Sequence, residues 1–97
     1  MPLNTAISSG LLNSGSTTVL FEGKAHLNSL QLILDGTQAG TVTVYDNTAA
    51  SGKVIGVFNG VAATSGETIV YVNPVRCDIG LTVLVSVTAE AIVTYNA

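Results

Sequence analysis

The chain has 97 residues with three basic and six acidic side chains; charged residues make up 9% of it and hydrophobic ones 47%, at a net charge of −3. That length sets one domain around one core, and the acidic balance, with Lys24, Lys53 and Arg76 scattered, excludes nucleic acid as a partner, since displacing counterions takes clustered Lys and Arg. The opening "MPLNTAISSGLLNSGSTTVL" has no basic start and no continuous apolar run, so neither a signal peptide nor a membrane span is expected, and synthesis in a cytoplasm is.

Residues 1–16 mix Ser, Asn and Gly with four irregularly spaced aliphatics, Leu3, Ile7, Leu11 and Leu12. Two readings stand: a loose end or ordinary first strand on its own sheet, and an arm that docks these aliphatics onto a neighbouring subunit. From residue 17 onward apolar residues recur with period two, without the three-and-four spacing of a helix, and β-branched Val and Thr alternate with turn-forming Gly. The pattern predicts strands over Thr17–Phe21, Ala25–Leu34, Thr41–Asp46, Lys53–Phe58, Thr68–Val72, Val75–Asp78, Leu81–Val87 and Glu90–Tyr95. In "TVTVYD", Val42 and Val44 point one way and Thr41, Thr43 and Tyr45 the other; in "LTVLVSV", Leu81, Val83, Val85 and Val87 oppose Thr82 and Ser86. About eight short strands of this kind make an all-β chain, a single antiparallel β-sandwich or jelly roll over 17–97 preceded by an N-terminal arm over 1–16.

Motifs for chemistry are scarce. "NTAASGK" superficially matches a phosphate loop, but Asn47 stands at the first Gly position, Val54 replaces the magnesium-binding hydroxyl, and "KVIGVF" alternates as a strand where a helix must begin. Asp46 and Asn47 instead suit side-chain-to-backbone turn bonds, and Ser51-Gly52 suits re-entry to the sheet, so this loop turns a hairpin. One His, His26, lies inside a predicted strand without a nearby acid, and the Gly pairs spaced as in a nucleophile elbow enclose Gln38 and Phe58. One His and one Cys far apart do not make a zinc site, and Cys77 reads as a small buried apolar residue. The carboxylates Glu22, Asp35, Asp46, Glu67, Asp78 and Glu90 mostly flank turns, where charges solvate a rim or guard an edge. No catalytic residue, metal or cofactor is expected. Sugar binding is the alternative, with Tyr45 as the ligand contact on the side of its strand opposite the valines.

So few charges leave much of the surface to Thr, Ser, Asn, Gly and exposed aliphatics, the surface of a protein that assembles. The phrases "ILDGTQAGTVTVYDNTAASGKVIGVF", "NPVRCDIGLTVLVSV" and "AEAIVTY", spanning most of residues 33 to 95, resemble small virion proteins of tailed bacteriophages. They share an Asp-Gly turn, a strand ending Tyr-Asp, a small-residue loop ending Ser-Gly, a Gly-Leu opening a Val-rich strand and a Val-x-Tyr close. The resemblance implies a head decoration (cement) protein on the capsid surface. Its partners would be its own copies, as a homotrimer joined through a Val/Thr-rich sheet face, and the major capsid protein or another virion subunit. Leu3, Ile7, Leu11 and Leu12 are the expected lattice contacts. A tail, spike or fibre component with a carbohydrate-binding sandwich is the other form the resemblance allows.

Overall fold

Buried and exposed positions alternate along the strands as the period-two pattern predicts: in "TVTVYD", Val42, Val44 and Asp46 are buried and Thr41, Thr43 and Tyr45 half-buried. The structure, a computed structural model, describes residues 7–34, 36–61 and 66–96. These form β1 (Ile7–Ser8), β2 (Thr17–Glu22), β3 (Ala25–Leu34), β4 (Gly40–Asp46), β5 (Lys53–Gly60), β6 (Gly66–Cys77), β7 (Gly80–Val85) and β8 (Ala89–Asn96). One sheet has the order β1-β8-β3-β6 and the other β2-β7-β4-β5. The antiparallel ladders β1·β8, β2·β7, β3·β6 and β4·β5 are those of one long hairpin rolled up on itself, the jelly-roll form of the β-sandwich.

Three differences from the sequence pattern have local causes. β1 lies within the expected arm, too short for alternation to reveal it. The two strands expected over Thr68–Val72 and Val75–Asp78 form one, β6, although its register on β3 jumps from Ile69 and Val70 to Val75. In β3 the register shifts between Leu27 and Ser29, so the inward set runs Ala25, Leu27, then Leu30, Leu32, Leu34, with Asn28 as the extra residue against β8.

The core lies between the sheets. Leu27, Leu30, Leu32 and Val93 from one meet Val42, Val44, Leu81, Val83 and Val85 from the other, all buried, with Cys77 and Ala91 filling the narrower places. Tyr95 closes one end by packing its ring in the core and donating its hydroxyl to the Leu20 carbonyl of the opposite sheet at 3.3 Å. At the other end the Thr41 amide donates to Ser86 Oγ at 3.0 Å and the Ser86 amide to the Thr41 carbonyl at 2.9 Å, linking β4 to the β7–β8 turn.

The strongest polar tie is Asp46. Its buried carboxylate, at the last position of β4, accepts from the backbone amides of Ile79 at 2.9 Å, Asp78 at 3.0 Å and Gly80 at 3.4 Å. Thr82 Oγ1 donates to the Asn47 carbonyl at 2.7 Å beside it. The β4–β5 hairpin and the β6–β7 turn are thus locked together. Gly80 is required by the closeness of that lock, because a Cβ there would lie 2.9 Å from the Asn47 carbonyl oxygen and 3.0 Å from that of Phe21. Burial pushes the Asp46 carboxyl up, but the Ile79, Asp78 and Gly80 amides and the Lys53 charge outweigh it and hold its pKa below the ordinary aspartate value.

Replacing Asp46 by Ala strands these donors and should cost about 1–3 kcal/mol, measured by denaturant unfolding at pH 7. Because the folded carboxyl is the stronger acid, its contribution is complete above the unfolded pKa of about 3.9 and is lost as pH falls through the folded value. The thermal-midpoint gap between wild type and Asp46→Asn should therefore narrow below about pH 4. A gap independent of pH would mean that the charge of Asp46 does not stabilise the fold.

Candidate interaction surface

The two outer faces are chemically unlike. On the β1-β8-β3-β6 sheet, His26, Gln31 and Ile33 of β3 align with Asn96, Ile92 and Glu90 of β8, and His26 also opposes Arg76 of β6. Polar groups there satisfy one another across strands: Asn28 Nδ2 donates to Asn96 Oδ1, and the Ser29 and Thr94 hydroxyls hydrogen-bond. Arg76 Nε reaches Asp78 Oδ1 at 2.8 Å, an exposed pair that contributes little to stability. This is the wet side of the molecule.

The β2-β7-β4-β5 sheet presents rows without a charge. One row is Thr17, Leu84, Thr43, Val57; the next is Val19, Thr82, Tyr45, Val54. Val19, Val54 and Val57 are 43%, 48% and 49% exposed. Thr82 is buried beneath the β4–β5 loop, which Asn47 shapes by donating from Nδ2 to the Ser51 carbonyl at 2.9 Å and accepting at Oδ1 from the Thr48 amide at 2.8 Å. Gly52, at φ 87°, returns the chain to β5. The loop turns a hairpin, as its residues predict, and also covers one end of the face. At the other end a shallow hollow is lined by Thr41, Thr43, Leu84, Ser86 and Val87, of which Val87 is 81% exposed. Exposed apolar side chains clustered without charge are what an interface presents before it is covered.

The residues singled out in the sequence fall in different places. Leu3 lies outside the described residues. Ile7 and Leu11 are exposed, on the strip that runs along β8. Leu12 must be corrected: it is a core residue, 6% exposed, bridged to Ala91 through N–H to carbonyl bonds of 2.7 and 3.1 Å, and is not free to touch a lattice. The Ser9 amide donates to the Val93 carbonyl at 2.8 Å and the Val85 amide to the Ser16 carbonyl at 2.9 Å, so the described stretch of the arm belongs to the sandwich. Tyr45 is half-buried in the uncharged face, between Thr82 and Val54. Phe21, Phe58 and Tyr95 pack in or against the core, which leaves Tyr45 the one aromatic on an outer face among the described side chains.

His26 is exposed on the wet face and Cys77 is buried, where desolvation pushes its thiol pKa up. The Asp46 carboxylate is committed to backbone amides, and the described residues bring no three of His, Cys, Asp and Glu together. Among the described residues it is therefore the uncharged face that offers a partner the most. Sequence reasoning named a Val/Thr-rich face but not Val54 and Val57 as its members, because the bulge between Val44 and Tyr45 shifts the phase of the β4·β5 ladder, so that Val54 and Val57, three residues apart, share a face.

The chain matches no family model, no curated protein and no solved structure. A fold alone does not assign function, so the surface has to carry the reading.

The contrast between neighbouring leucines is directly testable. Leu12→Ala should destabilise the protein by about 2–4 kcal/mol through the cavity it leaves, whereas Leu11→Ala should stay within about 0.5 kcal/mol of wild type, as exposed substitutions do. Equal effects in chemical unfolding would contradict the packing of this segment.

Proposed function

We propose that this protein is a non-enzymatic structural subunit of a tailed-phage particle, a head decoration protein that assembles with copies of itself and docks on the shell built by the major capsid protein. The observation that carries the proposal is the outer face of the β2-β7-β4-β5 sheet, whose central rows carry no charge, set against a polar face on the other sheet. The virion form of the reading comes from the sequence resemblance, and the jelly-roll topology agrees with it.

The mechanism is additive burial. A domain this small offers only modest contact areas, yet a shell repeats each contact by symmetry, and many weak contacts made together hold far more tightly than any one. Thr and Val are well matched to such contacts. They are strong strand formers, their methyl groups bury favourably, and they carry no charge whose desolvation would oppose docking. Ile7 and Leu11, exposed beside β8, add a second apolar strip for a neighbouring shell subunit. The protein would be made in the host cytoplasm and end on the capsid surface.

A lysine placed at the centre of the uncharged face should separate docking from folding. Thr43→Lys is expected to lower particle occupancy about tenfold or more, as central interface changes do, while Gln31→Lys on the polar face leaves occupancy unchanged; thermal unfolding checks that both variants fold. Particles assembled without the protein should lose integrity at lower temperature or chelator concentration. Wild-type occupancy by Thr43→Lys, or failure of immunogold labelling to find the protein on particles, would overturn the proposal.

A further inference from the structure

Asn59 is the one asparagine of the chain followed by a glycine. Glycine leaves its peptide nitrogen unshielded, because no side chain stands between that nitrogen and the asparagine amide. The nitrogen can then attack the side-chain carbon of the preceding residue and close a succinimide ring, an attack favoured by proximity within one chain. The glycine is not readily replaced: a Cβ on Gly60 would lie 2.6 Å from Leu32 Cδ2 and 2.7 Å from Leu34 Cδ1, and both leucines are buried in the core. Asn59 itself is exposed near the end of β5, where water reaches it.

Two restraints hold the pair in the closed fold. Thr41 turns both its N–H and its C=O towards β7, where they meet Ser86 Oγ at 3.0 Å and the Ser86 amide at 2.9 Å. Backbone groups change sides with every residue along an antiparallel strand, so Gly40 turns its own towards β5, opposite Gly60. Gly40–Gly60 is the last rung of the β4·β5 ladder, and among the described residues β5 pairs with no other strand. The second restraint is on the side chain, whose Oδ1 accepts from Thr41 Oγ1 at 2.9 Å on the outer face. The end of an edge strand is where a ladder opens first. Opening this last rung frees the Gly60 nitrogen to reach the Asn59 amide.

We propose that Asn59–Gly60 is a self-modification site, a spontaneous deamidation gated by the fraying of β5. The Gly60 nitrogen bonds to Asn59 Cγ, the Cγ–Nδ2 bond breaks, and ammonia leaves with the proton that the Gly60 nitrogen gave up through solvent. Water then opens the ring at either carbonyl. Opening at Cγ gives aspartate in the original backbone; opening at the main-chain carbonyl gives isoaspartate, whose backbone runs on through the side chain. No oxidation or reduction occurs, and water is the only reagent from outside the chain. Either product sets a carboxylate opposite Thr41, in the row next to Thr43 and Val57. Isoaspartate also lengthens the backbone at the last rung and keeps it from re-forming. The consequence for docking rests on the reading of the uncharged face as the docking face: a charge buried there without a partner opposes docking.

The full-length chain, held in mildly alkaline buffer without particles, tests the chemistry by itself. Peptide mass mapping and isoaspartate labelling should find Asn59 converted before the other asparagines, and Asn59→Ser should abolish that signal. Thr41→Val, which removes the bond to Oδ1, should speed the conversion about two- to tenfold, the factor that one net hydrogen bond contributes. Circular dichroism melting confirms that both variants fold. Asn59 still intact when Asn13 or Asn47 has converted would overturn the inference, as would a rate that Thr41→Val leaves unchanged. On particles, Asn59→Asp should lower occupancy about fivefold or more against wild type. Full occupancy by Asn59→Asp would overturn the consequence for docking; a wild type that binds no particle would remove the proposed function and leave the chemistry standing.

Discussion

Strand alternation divides the side chains of a sandwich among four faces, two inner and two outer, and this chain has too few charges to wet both outer ones. The inner faces take the aliphatics of the four central strands, from Leu27, Leu30 and Val93 on one side to Val42, Val44, Leu81 and Val83 on the other. Of the described charges, Glu22, Lys24, Lys53 and Asp78 sit at strand ends or in turns, and Asp46 is buried. His26, Arg76 and Glu90 all lie on the outer face of the β1-β8-β3-β6 sheet. The central rows of the opposite face are left to Thr, Val, Leu and Tyr, with Glu22 at its rim. Its character follows from where the charges went, and the rows of β7 and β4 that form its centre keep it continuous.

The polar ties that hold this arrangement lie at the ends, where the chain crosses between strands. Asp46 joins the β4–β5 hairpin to the β6–β7 turn at one end, and the reciprocal Thr41–Ser86 pair joins β4 to the β7–β8 turn at the other. Between them apolar packing holds one sheet on the other. The Asp46 lock also bears on the surface: it fixes the end of β4 against the start of β7, and with the Thr82–Asn47 bond it sets the loop that caps the uncharged face. A carboxylate that reads in sequence as a turn former thus positions the candidate interface from beneath.

How much of this was legible follows from which forces are local. The bounds of β3, β4 and β8 were readable to within a residue because apolar alternation and flanking turn residues are properties of neighbouring residues, and Asn47 and Gly52 behave in the loop as their intrinsic preferences predict. Phase was not readable across the bulges: Asn28 in β3, the shift between Val19 and Phe21 in β2, and Ile55 against β4 each move later residues to a different face. Nor could adjacent Leu11 and Leu12 be separated, since one is buried only because its backbone bridges Ala91, far along the chain. The amides that Asp46 accepts are equally distant in sequence. Everything missed depends on pairing between remote strands, which in a rolled hairpin is most of the architecture.

That long-range character links folding to assembly. A domain of this size buries only about two-thirds of its potential surface and gains little margin from it, while Val19, Val54 and Val57 stay exposed on β2 and β5, the edge strands of their sheet among the described residues. On the proposed reading the uncharged face is covered by neighbours, so association stabilises the folded chain, growing with the logarithm of the concentration of copies. An assembled state of this kind needs no strong individual contact. Uncharged rows meeting uncharged rows dehydrate at low cost. The same shortage of charge that would make a solitary chain a poor citizen of water makes a repeated one cohesive.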